Sequence, residues 1–330
     1  WLEDVAEKWD GVARVERFMV EYLGVEDDAA GYARAVGRYL WTALAGRVLQ
    51  PGVKADMVVI LEGPQGIRKS SAIEALAPGE EFFVEVDLGE DEADTVRKLR
   101  GALVGEIAEL SGLHTRALED IKKFVVRRVE KWVPKYKEFP SVFARRLVFL
   151  GTTNRTDILA DETGNRRWLP VHVERTDVEG IVRDREQLWA EGAALFRSGG
   201  VAWEAAERLA GVGGADGKGG VHDAYMMEDA WSGAVARWLG ERAGDAFDVV
   251  GVGVQGGASP VTGDGSGGWD GSHFTTSDCL AGALRLSMKE MDRLAQKRVS
   301  AILRRFGYKQ QTVRVDGHPI WGWRKEKAAV

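Results

Sequence analysis

Apolar positions recur at three- and four-residue steps near the start of the chain: Val12, Val15, Phe18, Met19 and Leu23, then Tyr32, Val36, Tyr39, Leu40 and Leu44. That spacing marks one face of an α-helix and predicts a helical segment over 1–50. Pro51-Gly52 closes it. The pattern then changes. Met57-Val58-Val59-Ile60-Leu61 is an unbroken apolar run, as in a strand buried on both faces. A glycine-rich loop follows at once, and then a helical stretch from Lys69 to Leu76. Two more apolar runs are Ala102-Leu103-Val104-Gly105, ending at Glu106, and Leu147-Val148-Phe149-Leu150, ending at Gly151-Thr152-Thr153-Asn154. Strands alternating with helical segments predict an α/β fold with a parallel sheet, its ligands at the strand C-terminal ends.

The second half reads differently. Residues 211–220 (GVGGADGKGG) have linker composition. Residues 251–272, again glycine-rich, read as a mobile loop. Between them, 223–242 is helical around Trp231, Val235 and Trp238. Beyond them the pattern predicts a helix-turn-helix with a wing. Thr276 or Ser277 caps a first helix with Leu280, Ala283 and Leu284 inward. Met288 and Met291 mark a short second helix. A third, over 292–306, turns Val299, Ile302 and Leu303 inward and Lys297, Arg298, Arg304 and Arg305 outward. Gly307 suits a helix C-cap and Asp316-Gly317 a hairpin turn. Such a basic third helix suits a DNA groove, or the unit docks a protein. The expected organisation is a helical segment (1–50), an α/β domain (51–200), a helical segment with glycine-rich linkers (201–272) and a winged unit (273–330).

Composition narrows the class. Hydrophobic content of 45% and charged content of 29% in 330 residues give an ordinary globular chain with material for a core. The single cysteine, Cys279, excludes an intramolecular disulfide and a cysteine-based zinc site, and fits a reducing cytoplasm. No apolar run reaches the ~18 residues of a membrane span. The chain starts at Trp1 rather than Met and reads as a fragment or a processed chain, which leaves room for an upstream domain. Net charge is −6, yet the segment from Arg285 onward is basic, which suggests either a polyanion partner for that segment or a plain solvated surface.

The loop carries the chemistry. Gly63-Pro64-Gln65-Gly66-Ile67-Arg68-Lys69-Ser70 follows G-x-x-x-x-G-K-[ST] at every fixed position except one, and these residues with Ser71 are the candidate nucleotide-binding set. Backbone N–H groups at a helix N-terminus hold β- and γ-phosphates. Lys69 reaches their oxygens, and the Ser70 hydroxyl ligates Mg²⁺. Arg68 stands where the motif has glycine, and either crowds the turn or points outward.

Phosphoryl transfer needs a carboxylate beside the metal and a group to orient water. Glu106 at a strand end suits the metal and catalysis, and Glu109 is a second candidate. Asn154 is a neutral amide able to hold water or the γ-phosphate. Arg166 and Arg167, in DETGNRRW, suit charge developing on a transferring phosphoryl group. The insert IKKFVVRRVEKWVPKYKEF carries Lys122, Lys123, Arg127, Arg128, Lys131, Lys135 and Lys137 among Phe124, Trp132 and Tyr136. Cations interleaved with aromatics suit a nucleic-acid backbone and its bases; the plain alternative is a solvated amphipathic helix.

The segments WDGVAR (9–14), YLG (22–24), LQPGVKAD (49–56), LEGPQG (61–66), RGALVGEIAEL (100–110), GTTN (151–154) and DETGNRRWLP (161–170) together resemble the virulence-associated E family, phage- and plasmid-borne relatives of superfamily 3 helicases in the AAA+ class. The resemblance covers nearly the whole chain. It implies an ATPase that assembles as a ring, commonly a hexamer, and works on single-stranded DNA in replication of a mobile element, with ATP and Mg²⁺ as cofactors. Duplex DNA and a primase domain or protein are further implied partners. It places Lys69 and Ser70 as the Walker A pair, Glu106 with Glu109 in the Walker B region, Asn154 as sensor 1 and Arg166 or Arg167 as arginine finger. The insert at 122–137 falls where superfamily 3 helicases place a DNA-contacting hairpin. The expected activity is an ATP-driven helicase or translocase. The alternative is a nucleotide-binding initiator or regulator with little hydrolysis, which Arg68 would favour.

Overall fold

The computed structural model describes residues 1–87, 92–108, 121–133, 138–156, 158–159, 165–211, 220–225, 229–243, 274–315 and 318–325. The glycine-rich stretch 251–272, the linker core 212–219 and the hairpin turn at Asp316-Gly317 lie outside them. The chain divides into two compact units, Trp1–Met227 and Glu228–Val330.

The first unit is built on five parallel strands. β1 is Val58–Glu62, β2 Phe83–Glu85, β3 Val104–Ile107, β6 Val148–Thr153 and β7 Trp168–His172, in the order β2-β3-β6-β1-β7. β4 (Val129–Trp132) and β5 (Ser141–Ala144) form a separate antiparallel pair. The helices are α1 (Leu2–Ala6), α2 (Phe18–Leu23), α3 (Tyr32–Leu49), α4 (Lys69–Glu74), α5 (Glu92–Lys98), α6 (described over 121–125), α7 (Val178–Gly199), α8 (Glu204–Gly211) and α9 (Val221–Ala224).

β1 is central and buried along its whole length, as its unbroken apolar run predicts. Because side chains alternate across a strand, its residues divide between two cores. Val59 and Leu61 join Val104, Leu150 and Leu169 against α3, α4 and α7. Val58 and Ile60 join Ile107, Phe149 and Trp168 against α6 and Tyr225. The N-terminal helices belong to the first core: α3 buries residues on all sides, Trp41 meets Trp189 of α7 edge-on at 6.0 Å, and Arg47 donates to the Ala55 and Arg145 carbonyls.

Several elements differ from the sequence reading. Val12 is exposed, and the first helical pattern resolves into a 3-10 turn at Val15–Arg17 and α2. α4 stops at Glu74, two residues early, in a turn at Ala75–Ala77. β2 and β7 carry no long apolar run of their own, and pairing with β3 and β1 extends them. The basic insert is not one amphipathic helix; it divides into α6 and the β4–β5 pair.

In the second unit α10 (Ser232–Ala243), α11 (Thr276–Leu284) and α12 (Arg293–Arg305) pack with the antiparallel pair β8 (Tyr308–Val315) and β9 (His318–Lys325) around Leu280, Val299, Leu303 and Trp323. The cap of α11 is Thr275, one residue before the expected pair: it accepts from Asp278 N, and Asp278 accepts from Thr275 N, a reciprocal box. The helix expected around Met288 is a single turn. Ser287 begins it by donating to Glu290, and Asp292 already caps α12. Gly307 takes φ 79° just past α12, the left-handed turn a helix end favours.

Candidate functional site

The loop between β1 and α4 lies at the C-terminal edge of the sheet, where ligands of parallel sheets bind. A Cβ at Gly63 would stand 2.3 Å from the Val173 carbonyl oxygen, so only glycine lets β1 and the segment after β7 approach so closely. Gly66 holds φ 86°. Arg68 holds φ 64°, which accounts for the motif's glycine at this position. Its side chain turns away from the loop and pairs with Glu179 of α7 at 2.8 Å.

Lys69 folds back over the loop and donates to the Gly63 and Pro64 carbonyl oxygens at 2.8 and 2.7 Å. Burial lowers its pKa, and the charge of Glu62 opposes that shift. The next residue, Ser70, donates to Glu106 Oε1 at 2.7 Å, and Thr152 of β6 donates to the same oxygen at 2.8 Å. Glu106 is buried within β3, so register in the sheet delivers its carboxylate to the start of α4. Pro64, Gln65 and Ser70 are exposed, and Ile67 and Ser71 partly so. A serine hydroxyl and a carboxylate are hard oxygen donors, the set that binds Mg²⁺ together with nucleotide phosphates. No cluster of three or more His, Cys, Asp or Glu side chains suited to a metal occurs among the described residues. That is compatible with Mg²⁺, which takes only one or two carboxylates.

Asn154 follows β6 at the same edge and is exposed. Glu109 and Lys135 lie outside the described residues. Arg166 is exposed, 3.9 Å from Glu207; Arg167 is half-buried, 3.7 Å from Asp56. The insert's cations are dispersed. Lys122 is buried, contrary to the exposed contact expected of it, because α6 turns Ile121, Lys122, Phe124 and Val125 inward. Lys123 and Lys131 are exposed. Arg127 pairs with Glu92 at 2.5 Å, and Arg128 donates to the Gly52 carbonyl.

The sequence reading passed over a second buried carboxylate. Glu62 ends β1 beside the loop, on the sheet face opposite Leu61. His172 Nδ1 lies 2.6 Å from its Oε2, and the Tyr225 hydroxyl bonds it too. Burial, then Glu62, push the Tyr225 phenol well up. A charged residue ending an apolar strand directly before the first loop glycine was the available signal. The segment after β7 braces the loop from outside: Val173 N donates to the Glu62 carbonyl, and Thr176 Oγ1 to that of Ile67 at 2.5 Å.

Residues 2–211 match the profile of a family described as virulence-associated protein E-like domain, which takes in the whole sheet and loop. No curated protein matches the chain in sequence. Among solved structures, the A form apo structure of the NrS-1 C-terminal region is similar at a TM-score of 0.52 and 13% identity, over 97% of this chain and 78% of that one. A second apo structure of that region, residues 305–718, matches at 0.48 and 11%, again over 97% and 78%. Likeness at such identity bears on fold alone.

Proposed function

The chain belongs to the virulence-associated protein E-like family, and from that premise we propose that it is an ATP-hydrolysing DNA motor, a helicase or translocase that serves replication of a phage or other mobile element. The observation that carries this reading is the contact of Ser70 with Glu106 at 2.7 Å, directly beside Lys69 on its loop. It brings together, from thirty-six positions apart, a hydroxyl and a carboxylate that would be the two halves of a P-loop triphosphatase site. Lys69 would exchange its loop carbonyls for phosphate oxygens, and Ser70 and Glu106 would hold Mg²⁺. Bound Mg²⁺ supplies charge neutralisation on the phosphates. Asn154 and Glu109 would orient water, and Arg166 or Arg167 would reach the nucleotide of a neighbouring subunit in a hexameric ring.

Single-stranded DNA would meet the exposed cations of the insert, Lys123 and Lys131, with Lys135 as the further candidate. Lys122 drops out because it is buried, and Arg127 and Arg128 are engaged within the unit. The helix–turn–helix order of α11 and α12, followed by the β8–β9 hairpin, supports a winged helix-turn-helix reading of the second unit. The competing reading, a regulator that holds nucleotide without turning it over, drew on Arg68 crowding the loop. Its outward side chain counts against that.

The test is the ATPase rate with and without single-stranded DNA, in this chain and in Lys69→Ala. Hydrolysis that DNA stimulates and that Lys69→Ala abolishes is the expected result. A chain that binds nucleotide but hydrolyses none, with or without DNA, overturns the motor reading.

A further inference from the structure

The outward face of α12 carries a row of cations. At about 100° per residue, Arg293, Lys297 and Arg304 fall within about 40° of one another, along roughly 16 Å of helix. They lie opposite the buried Ala295, Val299, Ile302 and Leu303, and all three are exposed. Arg298 lies off this row and is committed within its own unit: it pairs with Asp229 at 2.7 Å and its guanidinium covers the Trp231 ring at 4.0 Å. Arg304 lies over the Trp323 ring at 5.6 Å, which fixes the end of the row to the hairpin. The carboxylates nearest in sequence to the start of the row accept local hydrogen bonds. Glu290 accepts from Ser287 N and Oγ, and Asp292 accepts from Ala295 N.

A second feature points the same way independently. In the β8–β9 ladder Lys309 stands directly opposite Arg324, and both are exposed. Both side chains extend the exposed positive surface of this unit onto the hairpin. The form of the polyanion follows from the row itself. It carries no aromatic side chain, so it offers no platform for stacking unpaired bases. Ser300 and Ala301, small and partly exposed between Lys297 and Arg304, leave room for a close surface. A groove about 12 Å wide admits a helix in that way.

We propose that α12 docks in the major groove of duplex DNA, with Arg293, Lys297 and Arg304 on backbone phosphates and Lys309 and Arg324 on a further stretch of the same duplex. This rests on the DNA half of the function above and is independent of hydrolysis.

The test uses the full chain, a labelled duplex of about two helical turns, and a single strand of equal length, with anisotropy read over a salt series. Arg293→Ala/Lys297→Ala is expected to weaken duplex binding about tenfold and to lower the slope of log affinity against log salt by about two, one for each phosphate contact. Single-strand affinity changes much less. Arg293→Lys/Lys297→Arg retains the slope. Arg298→Ala lowers stability and leaves the slope in place. Absence of duplex binding by the unaltered chain, an unchanged slope in the double alanine variant, or equal losses on both DNA forms overturns the proposal. A chain that shows this duplex dependence yet hydrolyses no ATP leaves the proposal standing and removes the motor reading.

Discussion

Arg68 occupies a left-handed conformation in which glycine is at home. A side chain there costs about 1–2 kcal/mol. The exposed pair it forms with Glu179 is screened by water and offsets little of that. Glycine's greater chain entropy takes back about 0.5–1 kcal/mol, so Arg68→Gly is expected to raise stability by about 1 kcal/mol in urea unfolding. The ATPase rate should stay where it is, because the guanidinium already lies outside the loop. A large gain in rate would show that the arginine does obstruct the site. Residue type at this position was legible in the sequence as a departure from the motif. The direction of the side chain was not, because its partner lies 111 residues away on α7.

Among the elements, the β4–β5 pair depends on one buried ion pair. Arg145, between β5 and β6, bonds Glu130 of β4 through Nε and Nη2, donates to the Phe124 and Val125 carbonyls at the end of α6, and covers the Phe149 ring at 4.9 Å. Burial lowers the Arg145 pKa, and Glu130 opposes the shift. Removing one partner leaves the other charged and buried, so Arg145→Ala or Glu130→Ala alone is expected to cost about 3–5 kcal/mol. Arg145→Met with Glu130→Leu should cost far less, because both charges leave together. Chemical denaturation of the three variants reads this coupling, and additive losses would contradict it. The sequence showed only scattered lysines, arginines and aromatics here. Which cations face solvent followed from strand pairing, which places Glu130 and Phe143 opposite each other on the inner side of the pair.

At the scale of the whole molecule, the proposed ring makes a demand that single chains cannot meet. If Arg166 or Arg167 serves a neighbour's nucleotide, Lys69→Ala mixed with Arg166→Ala/Arg167→Ala should recover part of the ATPase activity that each lacks alone. Mixed rings contain interfaces with an intact loop on one side and intact arginines on the other. No recovery across mixing ratios, in assemblies shown by sedimentation to exchange subunits, would place those arginines outside the reaction. Both arginines lie near a carboxylate of their own chain, but Arg166 is exposed and Arg167 half-buried, so Arg166→Ala alone is expected to give the larger share of the effect.

Local chemistry was determined by the sequence alone. An unbroken apolar run fixed β1 as a buried central strand, glycine spacing fixed the loop after it, and helical periodicity fixed α3 and α12, because each depends on residues within a few positions of one another. Tertiary structure decided what sheet order brings together. Register carried Glu106 to Ser70, with Thr152 on the same carboxylate, and set His172 beside Glu62, which the turn after α9 also reaches through Tyr225. It also turned Lys122 inward and Arg68 outward. Those outcomes hang on contacts between residues some forty to more than a hundred and sixty positions apart, which no local pattern encodes.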